Sequence, residues 1–191
     1  MLPGQVRLTL PDWVQGVVET DRAYAADEDK VALAIELSRR NIEAMTGGPF
    51  GAAVFAPDHR IVAAGVNVVL PQHASVAHAE TMAYLLAQQA LGRARLNEHD
   101  DGRRDGPYVL ATSAQPCCQC YGATVWAGID RLLIGARSDD VEALTEFDEG
   151  PLPADWVGEL GRRGIEVVRD LHRDAARAVL AEYGAKGGRR Y

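Results

Sequence analysis

This chain predicts a layered α/β domain, on three observations. Apolar residues at helical spacing alternate with short β-rich runs, glycine and proline fall between the two kinds, and no internal repeat interrupts them. Strands alternating with helices stack into layers around a shared core. The 191 residues are enough for one domain with a sizeable core. Their 47% apolar and 25% charged content is that of an ordinary globular chain, and no apolar run reaches the length of a bilayer crossing. The start, "MLPGQVRLTLPDWVQ", lacks a basic segment followed by an apolar stretch and a small-residue cleavage site, so a cytoplasmic location is expected.

Residues 1–28, with "PDWVQGVVE", read as an extension packed on a domain that spans 29–191. Residues 29–45 place Val31, Ile35, Ile42 and Met45 near one face of an amphipathic helix that Gly47 and Gly48 end. Two β-rich runs follow at 50–56 and 60–69, joined by a turn containing Pro57 and Asp58. Residues 76–91 are helical, with His78 and Glu80 in the first turn. The polar stretch from Gly92 to Gly106 reads as an exposed, mobile loop. A strand at 107–112, a helix at 117–127 and a strand at 131–136 come next. The segment 137–154 reads as acidic and irregular. A helix near 154–163, a strand at 165–168 and a final helix near 170–183 complete the chain.

Chemistry concentrates in two places. Cys117, Cys118 and Cys120 lie within four residues, an odd and tight cluster that suits metal binding or catalysis better than disulfides. In "PCCQC", Pro116 suits the start of a helix, and Cys117 and Cys120 lie on adjacent sides of one turn, able to converge on one ion. The helix N-terminus favours their thiolates. Cys118, two positions from Cys120, diverges and reads as a small buried or partly buried side chain. His78 in "VAHAETMA" supplies a third ligand. Three protein ligands leave a tetrahedral position open, as catalytic zinc sites do and structural ones do not.

His-x-Glu with Pro-Cys-x-x-Cys is the pattern of zinc nucleobase deaminases. Over roughly residues 29–136 the sequence resembles the cytidine deaminase-like superfamily, and "GGPFGAAVF", "VAHAETMA" and "PCCQCYGATVWAGI" look most like guanine deaminases and related bacterial nucleobase deaminases. The resemblance implies a three-layer α/β/α sandwich with a mixed sheet of about five strands. It implies one zinc ion per chain on His78, Cys117 and Cys120, with Glu80 as proton shuttle and not a ligand. It also implies that Asn67, Phe50, Ala79 and Trp126 contact the base. Gln115, where a glutamate often precedes the proline, is not a ligand.

The segment "TEFDEGP" looks like the element that guanine deaminases place over the substrate. Guanine presents an amine and a ring N–H side by side, and one carboxylate accepts from both. Glu149 is the first choice for that acid and Asp148 the second, since spacing does not separate them. Guanine or a guanine-like amino-heterocycle is therefore the expected substrate, and ammonia the expected product. A cytosine, cytidine or aminotriazine deaminase stays open. A tRNA adenosine deaminase needs a basic face, which a formal charge of −7 and the acidic run "SDDVEALTEFDEGP" disfavour. A binding module with structural zinc is disfavoured by the open position and by Glu80. Resembling enzymes are homodimers, often with C-terminal exchange, and whether Tyr191 reaches a neighbouring site is left open.

Overall fold

Small side chains at the centre of the sheet let helices close on both of its faces. Strand β1, Gly51–Phe55, is buried along its whole length. Its Ala53 and Phe55 face one core, and Ala52 and Val54 face the other. The structure is a computed structural model describing residues 1–189 apart from Pro3; Tyr191 lies outside the described residues.

Strand β2, Ile61–Val66, and strand β3, Val109–Ala114, flank β1 and run antiparallel to it. Strand β4, Arg131–Ala136, and strand β5, Glu166–Val168, continue from β3 in parallel. The order β2-β1-β3-β4-β5 is the mixed five-stranded sheet expected from the resemblance. Eight helices are described, of which α1, Val14–Val17, and α3, Val69–Gln72, are single turns. Helices α2, Asp27–Glu43, and α8, Arg173–Ala185, cover one face. Helices α4, Ala79–Leu91, α5, Cys118–Ala127, and α7, Trp156–Arg162, cover the other. The three layers are those of an α/β/α sandwich.

Register brings one end of the sheet together. Gly51 pairs with Val66, and Ala52 pairs with Thr112. Phe50, just before β1, Asn67, just after β2, and Gln115 to Cys117, just after β3, therefore meet at the same edge. The carboxyl ends of the parallel strands point there too, where α/β sheets bind ligands.

Several expectations are corrected. The segment 137–154 is not irregular throughout, because helix α6 spans Ser138–Thr145. Asp140 near its start accepts from the Arg137 N–H at 2.9 Å, and on α8 Arg173 donates to both of its oxygens, with Arg177 donating to one. The stretch 92–106 is only partly a surface loop. Leu96 and Asn97 are buried, held by their N–H groups on the Ala127 and Gly128 carbonyls. Helix α2 stops at Glu43, so Met45 lies beyond it, exposed and at φ 55°, and not on the apolar face. Strand β2 ends at Val66, before the turn α3.

Candidate active site

Two helix starts aim at one point. His78 is the N-cap of α4 and Cys117 the N-cap of α5, both with extended backbone. Extended φ/ψ at an N-cap swings the side chain forward of the helix, and Cys120, one turn into α5, comes round to the same side. Pro116 stands outside the helix rather than in its first turn. The His78 Nδ1 atom lies 3.4 Å from Cys117 Sγ and 3.6 Å from Cys120 Sγ. All three ligand atoms fall within 4.8 Å of one another.

These separations test the metal. Zinc–sulfur bonds of about 2.3 Å and zinc–nitrogen bonds of about 2.0–2.1 Å at a tetrahedral angle put sulfur and nitrogen about 3.6 Å apart. The two measured edges match that figure. The donors are also of the right kind. An S–H from Cys120 holds the Cys117 thiol down at about 4 against the opposing effect of burial, and His78 assists. The same pairing and burial push the Cys120 thiol up. A dication in place of the shared proton takes both sulfurs as thiolates. No fourth ligand joins the three among the described residues.

Cys118 is exposed, against the expectation of a buried or partly buried side chain, and is not among the three clustered ligands. Its N–H donates to the Glu149 carbonyl at 2.9 Å, using one of the helix's unpaired N-terminal donors. That bond ties the loop after α6 to the cysteine helix. Gly150 has φ 67°, and a Cβ there would stand 2.5 Å from Cys118 Sγ, so the approach needs glycine.

A cavity of about 230 Å³ opens on the metal cluster. Glu80 lines it, only 6% exposed, with Oε2 at 3.4 Å from Cys120 Sγ. Burial pushes its carboxyl up to about 7, helped by the charge of Cys117 and opposed by His78. Such a group both takes and gives a proton near neutrality. Glu149 lines the cavity at 7% exposure, and no hydrogen bond reaches its carboxyl among the described residues. Burial, then the charges of Cys117 and Glu80, push it up to about 9. His78 is raised: burial lowers it, but the Cys117 hydrogen bond and the Glu80 charge outweigh that.

Of the residues expected to hold the base, Phe50 and Asn67 line the cavity. The Asn67 carbonyl oxygen accepts from Asn41 Nδ2 at 2.8 Å, and its Oδ1 accepts from the Gly48 and Val69 N–H groups at 3.4 Å. Ala79 and Trp126 do not line it. Ala79 is buried in the core against the sheet, and Trp126 is 73% exposed on the outside of α5. Asp148 reaches the cavity rim but is exposed, and its Oδ1 accepts from the Gly150 N–H at 2.8 Å. That bond makes the turn that faces Glu149 inward. Phe147, Ser75 and Gln115 also line the cavity, and none of them has a binding role legible in the sequence. Phe147 packs at 5.5 Å from Phe50 and stacks at 6.0 Å on Tyr183 of α8.

Comparison with known proteins places this geometry. A family model described as the cytidine and deoxycytidylate deaminase zinc-binding region matches residues 25–136. The chain is 34% identical over 116 residues to a guanine deaminase of Bacillus subtilis (strain 168), covering 61% of this chain and 67% of that protein. A solved guanine deaminase from Nitrosomonas europaea is 43% identical, covers 97% of this chain and 99% of its own, and superposes with a TM-score of 0.87. A solved mutant chain named NE0047, in complex with 8-azaguanine, is 45% identical over 95% of this chain and 98% of its own, with a TM-score of 0.87.

Proposed function

The chain belongs to the cytidine and deoxycytidylate deaminase zinc-binding family, and from that premise we propose that its substrate is guanine or a guanine-like amino-heterocycle. It is a zinc-dependent hydrolase of amino-heterocycles. His78, Cys117 and Cys120 would hold the zinc ion, which would supply Lewis acidity enough to bring the pKa of water from 15.7 to about 7. Glu80 would take up the two protons of the attacking water in turn, passing one to a ring nitrogen and the other to the departing amine. The balance is one water consumed, one C–O bond formed, one C–N bond broken and one ammonia released.

One observation carries the choice of guanine: Glu149 is buried in the cavity with no protein partner for its carboxyl among the described residues. A purine that offers an amine and a ring N–H side by side gives both of its oxygens a donor. Burial, with the charges of Cys117 and Glu80, keeps this proton on to about 9. The two substrate N–H groups and a nearby dication favour the anion that accepts from both. Phe50 and Phe147 supply aromatic faces for the ring, and Asn67 supplies an amide. A cavity of about 230 Å³ lies below the range of drug-sized pockets, about 300–1,000 Å³, which favours a free base over a nucleoside. The 8-azaguanine complex of a 45% identical chain supports the same reading.

We assign the chain to a homodimer in the cytoplasm. Exposed Trp126, Leu85 and Val76 support a partner surface, and three free cysteines suit a reducing compartment. Sedimentation at two concentrations tests the dimer.

An ammonia-release screen over guanine, guanosine, cytosine, cytidine, adenine and aminotriazines tests the substrate. Guanine should give the highest kcat/KM, and chelation should abolish it. A chain that ignores guanine-like rings and prefers cytosine is not the enzyme proposed here.

A further inference from the structure

We infer that Gln115 is a specificity-determining residue, whose side-chain amide donates a hydrogen bond to an acceptor atom of the heterocycle outside the reacting amine. This rests on the reading that the cavity binds an amino-heterocycle. Gln115 is 8% exposed and lines the cavity beside Cys117. No hydrogen bond reaches its amide among the described residues. Nor is either amide atom sealed away from the cavity, as Asn97 Oδ1 and Ser138 Oγ are sealed in the protein. An amide open to the cavity and unbonded by the described residues is free to bond what the cavity holds, and a ligand that covers it without offering a partner loses about 1–3 kcal/mol.

The backbone aims this side chain firmly. The Gln115 N–H donates to the Ala136 carbonyl at 2.8 Å, carrying the β3–β4 ladder one residue past β3. Pro116 then restricts Gln115 to extended geometry. In an extended stretch, residues two apart share a side, so Gln115 and Cys117 face the same way. The amide therefore enters the cavity from a rigid base next to the metal cluster.

The rest of the wall explains why a donor is needed there. Glu80, Asp148, Glu149 and Cys117 are acceptors when ionised. A purine edge also carries acceptors, at ring nitrogens and at any oxo group, which those acids cannot satisfy. Gln115 offers two N–H donors without adding charge to a crowded acidic site. An ionised glutamate at this position would repel the acids already present and could only accept.

The test pairs Gln115→Leu with four ligands: guanine, 6-thioguanine, which keeps the ring N–H beside the amine but replaces the oxo acceptor with a weaker sulfur one, and the 3-deaza and 7-deaza analogues of guanine, each lacking one ring acceptor. Each is measured as a substrate or as a competitor of guanine turnover. Wild type should penalise one of the three analogues by about tenfold relative to guanine. Gln115→Leu should lose about tenfold on guanine while that penalty disappears. Zinc content and Tm are compared with wild type, and Gln115→Met is run alongside so that a folding defect in one variant does not decide the outcome. The inference is overturned if wild type treats all four ligands alike. It is equally overturned if both variants lose the same factor on every ligand, as a structural role or a trapped water would give, or lose less than twofold on guanine. If wild type releases ammonia from none of them and binds none, the heterocycle reading itself fails. In that case this inference fails with it, and the variants are not needed to show so.

Discussion

Replacing Glu149 with glutamine should make the protein more stable and nearly inactive at once. Its carboxyl ionises near 4.5 in an unfolded chain and is pushed up to about 9 in the folded one by burial and by Cys117 and Glu80. Below pH 4.5 both states carry the proton, and its contribution to stability is fully present. As pH rises from 4.5 the unfolded chain releases a proton that the folded chain keeps, and stability falls by about 1.36 kcal/mol per unit until pH passes about 9. At pH 7 the loss is about 3 kcal/mol. Glutamine carries no such proton and resembles the neutral carboxyl in size and shape, so Glu149→Gln escapes the loss. For a chain of 191 residues that gain corresponds to a rise of about 6–12 °C in Tm.

The assay is thermal unfolding of chelator-treated wild type and Glu149→Gln at pH 4 and pH 7, since a bound dication favours the anion and shrinks the effect. The gain should be present at pH 7 and absent at pH 4. Guanine turnover by the zinc-loaded variant should be crippled, while Asp148→Asn, whose carboxylate only holds the Gly150 N–H in a rim turn, should turn over guanine near normally. If Glu149→Gln melts at or below wild type at pH 7, or gains equally at both pH values, the burial argument is wrong. Normal guanine turnover in Glu149→Gln would remove its role in recognition.

Glu80→Gln should keep its zinc and lose at least about 100-fold in kcat, checked by metal analysis beside steady-state kinetics; near-normal turnover in the zinc-loaded variant would sink the shuttle role. Asp140→Asn weakens the tie between α6 and α8. Hydrogen bonds from Arg173 hold the Asp140 carboxyl down at about 2, so its stabilisation is present above about pH 4 and lost as pH falls through 2. The variant should therefore be about 2 kcal/mol less stable at pH 7, with the gap closing in acid by urea titration. Gly47→Ala should raise KM for guanine without changing zinc content, because a Cβ there would stand 1.7 Å from the Asn67 carbonyl oxygen and force that backbone aside.

What the sequence makes legible and what it leaves dark divide along the range of the interactions involved. His78, Cys117 and Cys120 are readable because each is placed by a helix start that the local chain encodes, and because thiolates seek a metal that two of them cannot complete. The strand alternation is readable for the same reason: β1 and β4 carry their apolar pattern within five or six residues. Helix α6 is not. Its acids read as a solvated loop, and what turns them into a helix is Asp140 meeting arginines of α8, 33 and 37 positions later. Leu96 and Asn97 sit in polar surroundings in the sequence, yet carbonyls about thirty residues on bury them. The choice between Glu149 and Asp148 falls between these cases. Alternation says that one of them faces in, and only the turn at Gly150 says which. Trp126 shows the converse, since an aromatic on an apolar helix belongs inside only if that helix has a face to spare. On α5 Cys120, Thr124 and Ala127 already occupy the inner face. Gln115 lies furthest beyond reading, because what marks it is a hydrogen bond that none of the described residues makes, and residue spacing encodes only the contacts a chain can form with itself.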